Sequence, residues 1–329
     1  MAFIAIDTSP LKAYKIRKGT KLHPQLNKGG IFMREINLGL SYNDVLLVPQ
    51  YSDIDSRSDI DLTTTIAPGI SLQIPLITVN METVTGVDMA ITIHKLGGIG
   101  LIGRFDTPDN QAQKIEHITQ AGARSIGVIG VKGHELARAE KLLKAGSIAL
   151  HLDIAHCHSK HAIDIIKACK QRFPHVPFIA GTVATYQGAL DLYEAGADSL
   201  KVGIGAASIC LTHINAGSGV PQITAIMECD RARREKFPDR FIIADAGAAN
   251  PGDITKALAA GADAYMGGSL YAGTDEAPGE KINVSGRLYK EYNGSTSRAE
   301  KIRQLQKDSV NHAACRACCA TPNRRGWKT

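Results

Sequence analysis

Short runs of apolar residues recur along the chain, and longer amphipathic stretches separate most of them. The short runs have the length of buried strands, and they predict eight: Ile74–Val79, Ile99–Ile102, Ile126–Ile129, Ile148–Leu152, Phe178–Ala180, Ser199–Val202, Phe241–Ala244 and Ala264–Met266. In the longer stretches the apolar residues return with the period of a helix, which predicts helices over Gln111–Ala121, Glu135–Ala145, His161–Arg172, Tyr186–Ala195 and Asp253–Ala260.

Glycines mark the ends of several predicted helices, where a residue that tolerates the left-handed conformation is common. They are Gly122, Gly146, Gly196 and Gly261. Strand alternating with helix favours a closed (β/α)₈ barrel over a doubly wound sheet. The chain also lacks a Gly-x-Gly-x-x-Gly fingerprint after an early strand, which a dinucleotide-binding doubly wound domain would carry. We therefore predict an α/β protein that folds as a single (β/α)₈ TIM barrel.

The composition is that of a globular protein with enough chain for a large core, since 44% of the 329 residues are hydrophobic. The sequence contains no run of about 18 apolar residues that would predict a membrane span. The apolar run at its start is too short and too poorly flanked for a secretory signal. Seven cysteines at irregular spacing do not form the pattern of a disulfide framework. We expect a cytoplasmic protein without a membrane partner.

The net charge of +6 is concentrated at the two ends of the chain. Residues 1–35 contain seven Lys and Arg against two acidic residues, and residues 298–329 contain eight against two, whereas residues 36–297 carry a net charge of −5. A nucleic-acid-binding protein would carry its basic patch on the folded body. We therefore expect no nucleic-acid partner.

The chain divides into three parts. Residues 1–35 form a basic N-terminal arm, residues 36–306 form the barrel, and residues 307–329 form an atypical tail without amphipathic period. The tail contains a Cys-x-x-Cys pair at Cys315 and Cys318, but no second pair of zinc ligands lies nearby. We interpret the tail as the product of a truncation or a frameshift, a hypothesis that the coding DNA tests.

The segment from Ser199 to Gln222 holds the strongest candidate for chemistry. A short strand pattern gives way to a loop of small residues with Gly203 and Gly205, and a single thiol, Cys210, follows. Loops at the carboxyl ends of the strands form the active site of a (β/α)₈ barrel. A thiol on such a loop becomes a nucleophile where positive charge or dipoles favour its thiolate. The alternative is a glycine-rich turn with an inert, buried cysteine.

Loops after other predicted strands carry further polar or small residues. Asp153 follows the fourth strand, Asp245 and Gly247 follow the seventh, and Gly268 and Ser269 follow the eighth. Backbone N–H groups after the seventh and eighth strands commonly bind phosphate. The alternative is that these glycines only permit tight turns.

The residues Gly203-Ile-Gly205-Ala-Ala-Ser208-Ile-Cys210-Leu-Thr212, followed by Val220-Pro221-Gln222, resemble the active-site signature of the IMP dehydrogenase and GMP reductase family. Similar segments extend from Leu40 to about Gly294 and cover most of the chain. The segment from Ser41 to Pro49 resembles the family's opening segment, which is expected to cap the bottom of the barrel. Within it, Asp44 is expected to be a turn or cap residue.

The resemblance implies a role for each matching residue. Cys210 would attack C2 of a bound purine nucleotide, and Thr212 would help to move a proton. The residues implied to contact the substrate are Met81, Ser208, Asp245, Gly247, Gly268, Ser269, Tyr292 and Gly294. Asp153 and Thr182 are implied to contact the cofactor. The backbone carbonyls of Gly205, Ala207 and Cys210 are implied to bind a monovalent cation.

Several positions depart from the family pattern. Ala206-Ala207 replace Pro-Gly, Ala246 interrupts a Gly-Gly pair, and Thr182 replaces an asparagine. If the glycine replaced by Ala207 has a positive φ, the alanine strains the loop by about 1 kcal/mol. Ser295-Thr296 also replace the Met-Gly that normally follows Gly294.

The resemblance implies an oxidoreductase that acts on a purine nucleoside monophosphate, with NAD or NADP as cofactor and K⁺ as a further cofactor. A closer match to dehydrogenases at several segments favours IMP dehydrogenase, which makes XMP from IMP. The regulatory modules usual in that branch are not inserted after Arg104, as in GMP reductases, but Arg298 aligns with the reductases' catalytic glutamate. GMP reductase and a non-catalytic nucleotide-binding barrel remain alternatives. The family forms tetramers, so a homotetramer is expected.

Overall fold

Apolar residues near the beginning of the chain form two small sheets outside the barrel. The computed structural model of the protein describes residues 4–6, 38–207, 209–210, 212–294 and 302. Strand β1 (Ile4–Ile6) pairs in parallel with β2 (Val45–Leu47). Strand β3 (Thr64–Ala67) forms an antiparallel hairpin with β4 (Ile70–Leu72).

The eight apolar runs form eight parallel strands that close into a barrel. The strands are β5 (Leu76–Thr78), β6 (Ile99–Ile102), β7 (Ser125–Ile129), β8 (Leu150–Asp153), β9 (Phe178–Val183), β10 (Ser199–Val202), β11 (Phe241–Asp245) and β12 (Ala264–Gly267). Each strand pairs with the next along the chain, and β12 pairs with β5 to close the barrel. The predicted (β/α)₈ barrel is confirmed.

Helices surround the barrel and connect its strands. They are α1 (Val87–Lys95), α2 (Pro108–Gln120), α3 (Glu135–Lys144), α4 (Lys160–Arg172), α5 (Tyr186–Glu194), α6 (Thr212–Asn215), α7 (Gln222–Lys236) and α8 (Pro251–Ala259). The five predicted helices correspond to α2, α3, α4, α5 and α8. The connection from β6 to α2 contains only residues 103–107, so no further domain is inserted there.

The apolar side chains form two layers. Alternate residues of the strands, such as Ile77, Leu101 and Val128, fill the interior of the barrel. The other strand residues pack against the inner faces of the helices, where Ile115 and Ile166 are buried. Since side chains alternate across a strand, one face of each strand contributes to each layer.

The β3–β4 hairpin closes the amino-terminal end of the barrel. Its buried residues Ile66, Ile70 and Leu72 belong to the same cluster as the barrel interior. Thr64 Oγ1 donates a hydrogen bond of 2.8 Å to the carbonyl oxygen of Asp263, immediately before β12. The bottom of the barrel is therefore capped by this hairpin.

The expectation that the segment from Ser41 to Pro49 caps the bottom of the barrel is wrong. The N–H of Leu40 donates to Thr224 Oγ1 in the first turns of α7, and Lys256 in α8 donates to the carbonyl oxygen of Tyr42. These helices begin at the carboxyl ends of the strands, so the segment begins at that end. Asp44 is a capping residue, as predicted, because its carboxylate accepts from the N–H and hydroxyl of Ser41 at 2.7 and 2.6 Å.

A second hairpin follows the barrel. Strands β13 (Ile282–Val284) and β14 (Arg287–Tyr289) pair in antiparallel fashion, and their residues are exposed. The chain then returns to the mouth of the barrel, where the N–H of Asn293 donates to Thr83 Oγ1 at 3.2 Å. Among the described residues, no helix is long and apolar enough to cross a membrane.

Two glycines at helix ends provide a matched test of the packing. Gly122 and Gly261 both have positive φ, but a Cβ at Gly122 would have no atom within 4 Å, whereas one at Gly261 would lie 2.4 Å from Cγ of Asp230. Asp230 is buried and pairs with Arg233 at 2.5 Å. We expect Gly122→Ala to lower the free energy of unfolding by about 1 kcal/mol and Gly261→Ala by about 2 kcal/mol more, because the ion pair must shift. Urea unfolding measures both, and equal losses would contradict this packing.

Candidate active site

A cleft that is partly open to solvent lies at the carboxyl ends of the strands. It brings together most of the residues that the sequence singled out as candidates. These are Met81, Asp153, Thr182, Gly205, Ala207, Cys210, Thr212, Asp245, Gly268, Tyr292 and Gly294. Because they come from six different strand ends and from the segment after β14, only the closed barrel makes them neighbours.

Two of the remaining candidates are placed elsewhere, and a third is not among the described residues. Gly247 lines a neighbouring cavity behind the cysteine loop, together with Tyr42 and His213. Ser269 is exposed and does not line the cleft. Ser208 lies outside the described residues.

The cysteine loop, residues 203–210, is shaped by two glycines with positive φ. Gly203 has a φ of 144° and Gly205 a φ of 90°. A Cβ at Gly203 would lie 2.5 Å from the carbonyl oxygen of Asp245 and 2.6 Å from Oε1 of Gln222, so the backbone of this loop must pass close to β11. Cys210 is half-buried, and its N–H donates to the carbonyl oxygen of Ala207 at 3.0 Å. The thiol therefore lies on a closely packed loop that borders the cleft.

Backbone strain falls at a different position from the one that the sequence suggested. Ala207 does not have a positive φ, so the alanine that replaces the family's glycine there is unstrained. Ala246, directly after Asp245, has a φ of 66°. The left-handed region costs an L-residue other than glycine about 1–2 kcal/mol. The strain is therefore stored beside Asp245, where an alanine interrupts the family's pair of glycines.

A buried lysine that sequence reasoning missed lies between two of the candidate carboxylates. Lys201 Nζ is 2.7 Å from Oδ1 of Asp153 and 2.7 Å from Oδ2 of Asp245, and the lysine side chain is only 5% exposed. Asn80 Nδ2 donates to the second oxygen of Asp153 at 2.8 Å. The three charged groups come from the ends of β8, β10 and β11. We call Lys201, Asp153 and Asp245 the mouth triad.

The electrostatics of the mouth triad differ at its two carboxylates. Burial disfavours the charged form of Asp153, but the Lys201 ammonium and the Asn80 amide outweigh it and hold the pKa of that carboxyl below its ordinary value. Burial raises the pKa of Asp245, against the opposing effect of Lys201. Lys201 itself stays protonated, because its two carboxylates raise its pKa more than burial lowers it. Asp245 is thus the carboxylate of this site that protonates more readily.

The rest of the cleft wall is polar on one side. Asn80 is buried, and its Oδ1, which is closed off from solvent, accepts no hydrogen bond from the described residues. A Cβ at Gly268 would lie 2.5 Å from the hydroxyl of Tyr292, which shows how closely this tyrosine approaches the backbone after β12. Burial raises the pKa of Tyr292 to about 12, so it is a neutral hydrogen-bond donor.

No group of three or more His, Cys, Asp and Glu side chains among the described residues could hold a metal ion. In the segment His156-Cys157-His158 the thiol is buried, and His158 Nε2 lies 2.7 Å from Oδ2 of Asp191. The Cys-x-x-Cys pair of the tail lies outside the described residues.

Comparison with known proteins agrees with the resemblance found in the sequence. The family described as the IMP dehydrogenase / GMP reductase domain matches residues 39–318. An inosine-5'-monophosphate dehydrogenase of Nitrosopumilus maritimus is 32% identical, over 84% of this chain and 83% of its own length. A protein of the same name from Borreliella burgdorferi is 36% identical, over 82% of this chain and 80% of its own length. Another, from Cryptosporidium parvum, is 38% identical, over 80% of this chain and 75% of its own length.

The mouth triad makes a prediction about stability. We expect Lys201→Met to lower the free energy of unfolding by about 3–5 kcal/mol, because it leaves two buried carboxylates without their cation. The matched control is Lys160→Met, which removes an exposed ion pair with Asp164 and should cost less than about 1 kcal/mol. Urea unfolding of both variants at neutral pH measures the difference. Similar losses in the two variants would show that the triad does not stabilise the barrel.

Proposed function

The chain belongs to the IMP dehydrogenase / GMP reductase family, and from this premise we propose that it oxidises IMP to XMP with NAD. The observation that supports this best is the composition of the cleft. One half-buried thiol, Cys210, borders the same space as Asp153 and Asp245. A nucleophile and two carboxylates suited to ribose hydroxyls are what a reaction between two nucleotides requires.

We propose that the nucleotide lies between the cysteine loop and the ends of β11 and β12. The carboxylate of Asp245 would accept hydrogen bonds from the ribose hydroxyls. The 5′-phosphate would be bound by the backbone N–H of Gly268 and the hydroxyl of Tyr292, which line the cleft. Ser208, Gly247 and Ser269 would be further contacts, as the resemblance to the family implies. Met81 and Gly294, which line the cleft, would contact the purine.

The other half of the cleft fits a nicotinamide cofactor. Asp153 would bind the ribose next to the nicotinamide, and Thr182 at the end of β9 lines the same part of the cleft. When bound, the nicotinamide accepts the hydride that leaves C2 as the purine is oxidised. We propose NAD rather than NADP, in keeping with the dehydrogenase branch.

Cys210 and Thr212 would perform the chemistry on the purine. The sulfur of Cys210 would bond to C2 of IMP as the C2=N3 double bond opens and N3 takes up the thiol proton. Loss of a hydride from C2 to the nicotinamide would then oxidise the adduct and restore the C2=N3 double bond. Water then bonds to C2, the C2–S bond breaks and the sulfur leaves as the thiol, which yields XMP. Thr212, at the beginning of α6 and on the wall of the cleft, would help to move a proton of the attacking water by accepting it in a hydrogen bond while its own hydroxyl proton passes to solvent.

We also propose a monovalent cation, K⁺, bound by the carbonyl oxygens of Gly205, Ala207 and Cys210. The Ala207 carbonyl already accepts the N–H of Cys210, and its second lone pair remains for the cation. The two glycines with positive φ give this loop a backbone that can turn its carbonyl oxygens toward one ion, and K⁺ would then order the loop. A homotetramer in the cytoplasm is the corresponding proposal for assembly and location.

The role of Cys210 is tested by replacing it with alanine. We expect the chain to produce NADH from IMP and NAD, and Cys210→Ala to reduce the rate at least about 10³-fold while IMP still binds. Cys169→Ala is the matched control, because Cys169 is buried in α4 away from the cleft. The assay follows reduced cofactor by absorbance and is repeated with GMP and NADPH. Turnover only of that second pair would favour GMP reductase, and IMP binding without turnover of either pair would favour a non-catalytic barrel.

The raised pKa of Asp245 makes a prediction about pH. A raised carboxyl pKa means that the ionised, ribose-binding form is lost as the pH falls, beginning above the ordinary value of 3.8. We therefore expect the affinity for IMP to fall on acidification. Asp245→Asn should weaken binding by about tenfold or more and remove this part of the pH dependence. Calorimetric titrations at several pH values isolate the effect, since the phosphate of IMP titrates equally with both proteins. Parallel profiles would contradict the assignment.

A further inference from the structure

Arg104 follows β6 at the mouth of the barrel and lines the same cleft as Cys210. Two contacts fix its side chain, and a glycine leaves room for it. Its Nε donates to the carbonyl oxygen of Asp153 at 3.2 Å, and its guanidinium carbon lies 4.5 Å from the ring centre of Phe105. A Cβ at Gly130, after β7, would lie 3.2 Å from Nη1, so the glycine leaves room for the guanidinium. The charge of Arg104 is thus held at a defined place on the wall.

This guanidinium has unused binding capacity. No carboxylate of the described residues lies within 4.0 Å of its nitrogen atoms, and its two Nη groups donate to none of those residues. Nearby cations differ in this respect, since Arg138 pairs with Glu135 and Lys114 with Asp106. The other cation on the described cleft wall, Lys201, is held between Asp153 and Asp245. Arg104 is therefore the cation of this wall that can receive an anionic ligand group.

The position of Arg104 identifies that group, on the basis of the proposed function. In the barrel, β6 lies on the far side of β5 from β11 and β12, where the nucleotide phosphate is expected. Arg104 instead contacts the backbone of Asp153, which is expected to bind the nicotinamide ribose. In a dinucleotide the pyrophosphate is bonded to the 5′ carbon of that ribose. A planar guanidinium with free N–H groups matches phosphate oxygens.

We propose that Arg104 binds the pyrophosphate of the dinucleotide cofactor. It would do so through its Nη groups, while Nε stays bonded to Asp153. Binding at the pyrophosphate would make affinity depend on the phosphates of the cofactor and leave recognition of the purine nucleotide unaffected.

The test uses ADP-ribose, which contains the pyrophosphate but no nicotinamide, so that binding is measured without turnover. We expect Arg104→Gln to weaken ADP-ribose binding by about tenfold or more in calorimetry, with IMP affinity changed less than about twofold. Arg104→Lys, which keeps the charge without the planar fork, should lose less. The matched control is Lys132→Gln, which removes a cation after β7, at the same end of the barrel but outside the cleft wall.

A second probe distinguishes ligand binding from support of the Asp153 backbone. Nicotinamide riboside has the ribose but no phosphate, and Arg104→Gln should leave its binding unchanged. Equal loss for both probes would indicate a structural role and overturn the proposal, as would unchanged ADP-ribose affinity in the variant or no ADP-ribose binding by the wild type. If the wild type binds ADP-ribose through Arg104 but does not bind IMP, the proposed function fails while this inference stands.

Discussion

A single buried ammonium joins three strands at the mouth of the barrel. Lys201 on β10 pairs with Asp153 at the end of β8 and with Asp245 at the end of β11. Taking three charges out of water is costly, and the cost is offset only where geometry is good and the remaining lone pairs are bonded. Here Asn80 bonds the second oxygen of Asp153. The result is that two carboxylates are fixed on either side of one cation.

Other features of the cleft follow from where these carboxylates lie. The cysteine loop approaches the backbone of Asp245 so closely that only glycine fits at Gly203, and the strained Ala246 comes directly after Asp245. Arg104 is attached to the backbone of Asp153 on the opposite side. The thiol and the proposed contacts to nucleotide and cofactor are therefore positioned relative to the mouth triad, which pre-organises the cleft.

Local patterns were sufficient for the barrel, whereas the cysteine loop was identified as a site by its resemblance to the family. Strand runs are short and apolar, and four of the five predicted helices end at glycines with positive φ. Helix α7 was missed because its buried face includes Asp230, whose partner Arg233 interrupts the apolar period. Lys201 was missed for a related reason, since its partner Asp245 is 44 residues away in the chain. The placement of Leu40 depends on Thr224, 184 residues away. Such contacts are decided by the closed fold and not by local sequence.

The most direct test of the mouth triad is a crystal structure of the protein with IMP bound. The expected result shows Lys201 still within hydrogen-bond distance of both carboxylates, the ribose hydroxyls on Asp245, and the sulfur of Cys210 facing C2 of the purine. A nucleotide whose ribose lies away from Asp245, or a Lys201 that has left the two carboxylates to make room for it, would contradict the claim that this ion cluster organises the site.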